Sequence, residues 1–383
     1  MFLQERMRGL EQAPLVYNAH LSAAEEMGRS MSARIAIIGT GAVGGYAGAH
    51  MARAGEDVTF VDFWPENVQA IRNKGLRISH LRDVPEFSVP VRVLHLTEMQ
   101  GLSKEAPIDI AFICVKSYDT AWATMMVKQY LAPSGYVVSL QNCMNEETIA
   151  GIVGWGRTLG AIASSITVDL CEPGHVRRAA GKSGAAHTVF RVGEVHGRIT
   201  DRAREVGRLV ALADSTQVTA NLWGERWSKL VTNAMGNGVS ACTGLISRDI
   251  LLDDTLRAFT ARLGSEAIRI GQALGYQLEE IHHLAPETIA RAGEGDAAAR
   301  RVYDERRLDE ATKGGGAHRP SMGQDMVKGR RTEIGFLNGF IVGRGQELGL
   351  AAPANAALTS IVKRVENGEL QADARHILDL RLN

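Results

Sequence analysis

The feature that most constrains this chain is a glycine-rich turn between two stretches of contrasting pattern. Residues 34–38 form a short run rich in β-branched side chains, which is typical of a buried parallel strand. The turn Gly39-Thr40-Gly41-Ala42-Val43-Gly44 follows, and the small residues at 47–54 then predict a helix. A second predicted strand, 58–61, ends in Asp62, 18 residues after Gly44. In this context the turn predicts a dinucleotide-binding βαβ unit, whereas an isolated G-x-G-x-x-G would be a weak signal.

Each glycine of the turn has a physical reason in such a unit. Gly39 permits the tight turn, Gly41 lets the backbone approach a pyrophosphate, and Gly44 lets helix and strand pack closely. The free backbone N–H groups at the start of the helix then face the phosphates. The residues predicted to bind the cofactor in this way are Gly39, Thr40, Gly41, Ala42, Val43 and Gly44.

Asp62 indicates which nucleotide the sequence favours. Its carboxylate can accept hydrogen bonds from ribose hydroxyls and would repel a 2′-phosphate, so we expect NAD rather than NADP. The first arginine after it is Arg72, too far along the chain to supply an obvious guanidinium for a 2′-phosphate. NADP stays open as the second cofactor. A glycine turn followed by a surface carboxylate is the purely structural alternative.

Strand and helix patterns continue to alternate beyond this unit. Residues 107–115 and 136–142 each predict a buried strand, with a helix predicted between them over 118–131. This rhythm predicts a doubly wound parallel sheet, in which ligands bind at the carboxyl ends of the strands. Lys116 and Asn142 occupy such ends and are therefore candidates for the site. A solvated loop lysine and a helix cap are the alternatives for the two residues.

Short extended segments follow, and helical periodicity dominates from residue 221. The segments 160–169, 174–178 and 187–195 predict strands that close the first domain, before a charged helix at 201–213. The later helices are predicted over 221–243, 251–274, 286–313, 321–349 and 354–380.

We therefore predict an α/β fold: an N-terminal Rossmann-type doubly wound parallel sheet with an all-helical C-terminal domain. The dinucleotide-binding domain is expected over 33–220 and the helical substrate and dimerisation domain over 221–383. Residues 1–32 are expected to be an extension, unless the protein starts at Met31. An apolar stripe of Ile334, Leu337 and Ile341 predicts either a homodimer face or core packing.

The composition excludes several classes of partner. Lys+Arg and Asp+Glu both number 43, so the formal net charge is zero and we expect no nucleic-acid partner. We expect no membrane partner, because no apolar run approaches the roughly 18–20 residues of a membrane span, and the first residues do not resemble a signal peptide. Four widely spaced cysteines without zinc spacing predict a reduced, cytoplasmic protein with no metal. A small-molecule substrate is expected instead, because a helical domain packed on a dinucleotide domain leaves a cleft of suitable size.

A polar ladder marks the first predicted helix of the second domain. Within "WSKLVTNAMGN", Lys229, Asn233 and Asn237 recur every fourth residue and so share one face of an otherwise apolar helix. A cation and two amides on one face are suited to binding a small acid. The pattern alone is equally consistent with a solvated lysine and amides bonded to neighbouring loops.

A second unusual stretch is "SMGQDMVKGRRTEIGFLNG". Ser321 is predicted to cap a helix, and Glu333 to lie about three turns further along it. Because Glu333 sits in an apolar run, we expect it to be partly buried and paired with Lys116 or Lys229. The pair His282-His283 is expected at the surface rather than at a metal site.

From about residue 33 to 365 the chain resembles the ketopantoate reductases. The resemblance rests on "IIGTGAVG", "CVKSYDT", "SLQNCMNEE", "WSKLVTNAMGN", "SMGQDMVKGRRTEIGFLNG" and "LGLAAP", in that order. It implies reduction of the 2-oxo group of a small branched acid by a nicotinamide cofactor. It further implies that Lys229 is the proton donor and that Glu333 engages that lysine or the substrate hydroxyl. The implied binding residues are Asn233, Asn237 and Ser321 for substrate, and Asn142 and Lys116 at the junction of cofactor and substrate.

The chain also departs from this family. Members usually have glycine where this chain has Cys143, many place a cation after the second strand, and most lack a counterpart of residues 280–318. These departures keep open an NAD-dependent dehydrogenase of another hydroxy acid or alcohol, or an opine-type enzyme. A non-catalytic NAD(H) sensor is the alternative from another class, and the presence of both Lys229 and Glu333 argues against it.

Overall fold

The computed structural model describes residues 16–17, 33–81, 84–164, 166–179, 181, 187–313 and 319–380. The described residues divide into two compact units. The first draws on Met1–Val115, Asp119–Gln141 and Asn145–Leu222, and the second on Lys116–Tyr118, Asn142–Met144 and Trp223–Asn383.

The first unit is built on strands. They are β1 (Val16–Tyr17), β2 (Ile35–Ile38), β3 (Val58–Asp62), β4 (Leu76–His80), β5 (Phe87–Val89), β6 (Arg92–His95), β7 (Ile108–Ile113), β8 (Leu131–Ser139), β9 (Thr158–Ala163), β10 (Val168–Glu172), β11 (His175–Arg178), β12 (Phe190–Glu194) and β13 (Thr216–Thr219). Its helices are α1 (Ala42–Arg53), α2 (Pro65–Lys74), α3 (Thr120–Lys128), α4 (Glu146–Val153) and α5 (Asp201–Ala211), with 3-10 turns at Leu96–Lys104 and Trp155–Arg157 and a third, Ser117–Asp119, that passes from the second unit into the first.

A nine-stranded sheet in the order β1-β13-β12-β9-β8-β7-β2-β3-β6 forms the frame of this unit. Strand β2 pairs in parallel with β3 on one side and β7 on the other, with Ile35 opposite Val58 and Ile110. Every side chain of β2 is buried, because the strand lies in the interior of the sheet. Gly48 brings α1 close to the sheet: a Cβ there would lie 2.5 Å from the Phe60 ring. The predicted Rossmann-type fold is confirmed.

The strands that were predicted to close the first domain have a different arrangement from the predicted one. The segment 160–169 is divided between β9 and β10, since Thr167 adopts a left-handed backbone (φ +41°) that interrupts an extended run. Strands β10 and β11 then join β4 and β5 in a separate four-stranded sheet. The helix predicted over 118–131 is limited to α3, because Leu131 already begins β8.

The second unit is helical, as predicted. Its helices are α6 (Leu222–Thr243, of which Leu222 belongs to the first unit), α7 (Ser247–Leu252), α8 (Asp254–Ala273), α9 (Pro286–Glu294), α10 (Ala297–Thr312), α11 (Ser321–Val327), α12 (Asn338–Glu347), α13 (Pro353–Glu366) and α14 (Arg375–Leu378), with a 3-10 turn at Ile334–Phe336. Several predicted helices are interrupted. Asp253 caps α8 by accepting the N–H groups of Thr255 and Leu256, and Gly295 (φ +97°) separates α9 from α10.

Helix α6 lies in the core of this unit. The indole N–H of Trp227 donates to the carbonyl of Ala267 at 2.9 Å, and a Cβ on Gly271 would meet the same indole at 2.3 Å. The stripe of Ile334, Leu337 and Ile341 is no more than 2% exposed, so it packs within the chain rather than forming a free dimer face. Among the residues described, no helix combines the length and apolarity that crossing a membrane requires.

Candidate functional site

The glycine turn of the first unit leaves its backbone open where a ligand would approach. A Cβ on Gly44 would lie 2.4 Å from the carbonyl oxygen of Gly39 and 2.7 Å from Cys114 Cβ, so helix and strand approach as only glycine allows. Gly39 has a left-handed backbone (φ +98°). A Cβ on Gly41, by contrast, would meet nothing within 4 Å. An open backbone at the N-terminal end of α1 fits a pyrophosphate.

Asp62 is tied to this turn by three hydrogen bonds. Its carboxylate accepts the N–H of Thr40 at 3.0 Å, the amide of Asn67 at 2.9 Å and the N–H of Trp64 at 2.9 Å. A carboxylate has about four acceptor positions, so one remains for a ribose hydroxyl. Asn67 is fully buried and also donates to the carbonyl of Thr40. The sequence interpretation missed Asn67, whose signal was a polar amide in the first turn of the helix that follows Asp62.

The second unit contains a partly buried charge cluster that joins distant parts of the chain. The Lys116 ammonium lies 2.5 Å from Asp325 and 3.4 Å from Glu333. Glu333 accepts the backbone N–H and the hydroxyl of Ser117 at 2.9 and 2.7 Å. The side chains of Asp325 and Glu333 are only 9% and 7% exposed. Of the two lysines proposed as partners of Glu333, the structure shows an ion pair with Lys116.

The charges in this cluster depend on one another. Burial opposes the charge on Lys116, but Glu333 and Asp325 outweigh it and raise the pKa of the lysine. Burial raises the pKa of Asp325, even with Lys116 beside it. Next to them, burial and the charge of Glu333 raise the pKa of the Cys143 thiol well above its usual value. The cluster is therefore a lysinium held between two carboxylates, with an unreactive thiol beside it.

Residues 116–118 are held along their length by the segment around Glu333. Besides the contacts of Lys116 and Ser117, the guanidinium of Arg331 lies 4.5 Å from the centre of the Tyr118 ring, a cation–π contact. Asp325 and Ser117 were not identified from the sequence. The only signal was their position inside the two family motifs, because the partners lie 209 and 216 residues away along the chain.

The polar ladder lies on α6 as predicted by its spacing. Lys229 and Asn233 are partly exposed, while Asn237 is 8% exposed. The amide of Asn233 donates a long hydrogen bond, 3.4 Å, to the side-chain oxygen of Asn142. Asn142 does not cap the next helix, whose N-cap is Asn145. The structure thus brings Asn142 to the ladder.

The prediction for the stretch around Ser321 needs two corrections. Ser321 is the exposed first residue of α11, and Pro320 occupies the cap position. Glu333 does not continue that helix, because Gly329 (φ +62°) ends it in a left-handed turn. Arg319 donates to the carbonyl of Gly244 at 2.7 Å. His318, which the sequence marked as a neighbour of the site, lies outside the described residues.

His282 is not the surface residue that the sequence predicted. Its ring is 17% exposed, and its Nδ1 lies 3.4 Å from Glu310. Burial, with the nearby positive charges of Arg307 and Lys229, lowers the pKa of His282 to about 4, although Glu310 opposes the shift. His283 is exposed, as expected. Within the described residues, no group of three or more His, Cys, Asp or Glu side chains could hold a metal ion.

Comparisons with known proteins agree on one family. The family model for ketopantoate reductase PanE/ApbA matches residues 35–188, and the model for its C terminal domain matches residues 221–366. The 2-dehydropantoate 2-reductase of Archaeoglobus fulgidus is 30% identical over 341 residues, which cover 88% of this chain and 98% of the relative. The enzyme of the same name from Pyrococcus horikoshii is 28% identical, covering 87% and 98%.

Solved structures give the same result. A PanE/ApbA family ketopantoate reductase from Ralstonia eutropha superposes with a TM-score of 0.70 at 28% identity, covering 88% of this chain and 99% of that one. D-mandelate dehydrogenase, solved with NADH and anilino(oxo)acetate, has a TM-score of 0.71 over the same shares, but at 20% identity it supports the fold alone. The chain belongs to the ketopantoate reductase family, and it is an oxidoreductase of that family.

Proposed function

We propose that the chain reduces the 2-oxo group of a small acid with a nicotinamide cofactor, and that Lys229 is the general acid. The observation that carries this proposal is the polar face of α6: Lys229 and Asn233 lie one turn apart on an otherwise buried helix, and Asn233 is hydrogen-bonded to Asn142. The names of the archaeal relatives support the same reaction, which would make 2-dehydropantoate the first substrate to try.

Reduction of a ketone builds negative charge on its oxygen. The ammonium of Lys229 can stabilise that charge and donate the proton that completes the alcohol. The bound nicotinamide supplies the hydride. Asn142, Asn233, Asn237 and Ser321 supply neutral groups for the carboxylate and hydroxyl of the acid. Glu333 acts on this site by holding Lys116 and Ser117 in place.

The preferred cofactor in this proposal is NAD. The glycine turn 39–44 receives the pyrophosphate, and the remaining acceptor position of Asp62 receives a ribose hydroxyl. A 2′-phosphate would meet the buried carboxylate instead, which disfavours NADP. Residues 33–220 are then the dinucleotide-binding domain, and 221–383 contribute most of the substrate groups.

The test is a turnover screen of the purified protein. NADH and NADPH are each supplied with a panel of 2-oxo acids that includes 2-dehydropantoate, and NAD is supplied with hydroxy acids and alcohols. We expect reduction of a 2-oxo acid, with a higher kcat/KM for NADH than for NADPH. Oxidation of alcohols alone would indicate the alternative dehydrogenase. Tight NADH binding without turnover on any compound would indicate a sensor and overturn the proposal.

A further inference from the structure

An exposed aromatic residue directly follows Asp62. Phe63 is 52% exposed, whereas Phe60, three residues earlier on β3, is fully buried. A single exposed phenylalanine would need no explanation. Phe63, however, contacts a second aromatic ring: Trp122 lies 6.2 Å away, centroid to centroid, with the two planes at 82°.

Each of the two aromatic residues takes part in a hydrogen bond, Trp122 through its indole ring and Phe63 through its backbone. The indole N–H of Trp122 donates to the carboxylate of Asp119 at 2.8 Å. The backbone carbonyl of Phe63 lies 3.3 Å from a ring nitrogen of His95. The next residue, Trp64, donates its N–H to Asp62, which in turn accepts the N–H of Thr40 in the glycine turn. The pair is thus tied to the predicted pyrophosphate turn through two successive hydrogen bonds.

The topology of the sheet places this pair around the crevice where dinucleotides bind. Strand β2, which leads into the glycine turn, lies between β3 and β7. Phe63 follows β3, and Trp122 lies at the start of α3, shortly after β7. In an open parallel sheet a ligand occupies the crevice beyond the carboxyl ends of such strands. The two rings therefore approach it from opposite sides of the central strand.

We propose that Phe63 and Trp122 form a stacking site for the adenine base of the cofactor. The inference rests on the proposed use of a nicotinamide dinucleotide. A purine has an extended π-face that stacks favourably on aromatic side chains. The adenine stacks on the exposed aromatic surface, while the ribose binds Asp62 and the pyrophosphate binds the glycine turn. The apolar site also replaces the cation that would bind a 2′-phosphate at the same position.

The test measures binding directly, by calorimetric titration of the purified protein with NADH and with ADP-ribose, which lacks nicotinamide. Phe63→Ala and Trp122→Ala are each expected to weaken the binding of both ligands about tenfold or more, since stacking of a base on a single aromatic residue contributes a free energy of that order. Phe63→Tyr, which keeps an aromatic face, is expected to bind as the wild type does. In turnover assays the weaker binding should appear as a higher KM for NADH, while kcat at saturating NADH should stay unchanged.

Trp155 provides the matched control, because it is an aromatic residue of the same unit with the same 52% exposure. Trp155→Ala should bind both ligands as the wild type does. Wild-type affinities in both Phe63→Ala and Trp122→Ala would overturn the stacking site, as would a Phe63→Tyr variant as weak as Phe63→Ala. Failure of the wild type to bind either NADH or NADPH would instead overturn the proposed function itself.

Discussion

Glu333 and Ser117 are joined by two hydrogen bonds to a single oxygen. The carboxylate Oε1 accepts the backbone N–H of Ser117 at 2.9 Å and its hydroxyl at 2.7 Å, while Oε2 lies 3.4 Å from the Lys116 ammonium. With Asp325 at 2.5 Å from the same ammonium, two buried carboxylates depend on one lysine. A buried ion pair is often neutral for stability as a whole, but the loss of one partner leaves an uncompensated charge.

Lys116→Met is therefore expected to destabilise the protein by roughly 2 kcal/mol at pH 7. This is less than a fully buried pair would lose, because the Lys116 side chain is 34% exposed. Burial already raises the pKa of Asp325, and the loss of the lysine should raise it further. A carboxyl group whose pKa is raised in the folded state makes the fold less stable as the pH rises through that pKa. The difference in stability between Lys116→Met and the wild type should therefore be smaller at pH 5 than at pH 7.

The measurement is the thermal unfolding midpoint of both proteins at the two pH values. Lys363, an exposed residue of α13, gives the control variant Lys363→Met, which should match the wild type at both. A stability difference that is the same at both pH values would mean that Lys116 does not favour the ionised form of Asp325 against burial.

Lys229→Ala tests the proposed proton donor. We expect kcat to fall by roughly two orders of magnitude or more, because general acid catalysis typically contributes a factor of that size. The affinity for NADH should stay near that of the wild type, since Lys229 is not among the residues assigned to the pyrophosphate and the ribose, the glycine turn 39–44 and Asp62, which belong to the first unit. Steady-state kinetics and a binding titration of the same preparation separate the two effects. Undiminished turnover would rule out Lys229 as the donor.

The backbone conformation of Cys143 suits glycine, the residue that the family resemblance leads us to expect at this position. Its backbone is left-handed (φ +67°) and its side chain is 3% exposed. Glycine adopts this conformation without penalty, whereas a β-branched residue is strongly disfavoured there. Cys143→Gly should therefore change the free energy of unfolding by less than about 1 kcal/mol, while Cys143→Val should cost about 2 kcal/mol or more. Chemical denaturation of the two variants decides this, and equal losses in both would show that packing rather than backbone strain dominates.

The sequence predicted those parts of the molecule whose signal is local. Hydrophobic periodicity and the glycine turn identify the βαβ unit, and the spacing of Lys229, Asn233 and Asn237 places them on one face of α6. The interruptions at Gly295 and Gly329 were missed, because the left-handed angle of a glycine is set by its surroundings. The contact of Lys116 with Asp325 joins residues 209 positions apart, which periodicity cannot reveal. The burial of His282 was missed for the same reason.

Thiol reactivity should distinguish one cysteine from the other three. All four lie in the described part of the chain and are free, but only Cys171 is exposed. Burial raises the pKa values of Cys114 and Cys143, and that of Cys242 to about 12, so these thiols are protonated at pH 8. Ellman's reagent should therefore modify one thiol rapidly in the native protein and four after denaturation. Cys171→Ser should abolish the rapid phase, and a surviving rapid phase would contradict the assignment.

His282 should make the stability of the protein sensitive to mild acid. Its pKa is lowered to about 4 in the folded chain, chiefly by burial, against a usual value of about 6.5. The neutral ring therefore stabilises the fold fully above about pH 6.5, and this contribution is lost as the pH falls toward 4, by about 2 kcal/mol at pH 5. His282→Asn removes the titration and retains a residue that tolerates the left-handed backbone (φ +54°). The unfolding midpoint of this variant should fall less than that of the wild type between pH 7 and pH 5.

His283 is the matched control, since it has nearly the same backbone (φ +59°) but is exposed. His283→Asn should retain the acid sensitivity of the wild type, and the same flattening in both variants would show that the effect does not come from the buried ring.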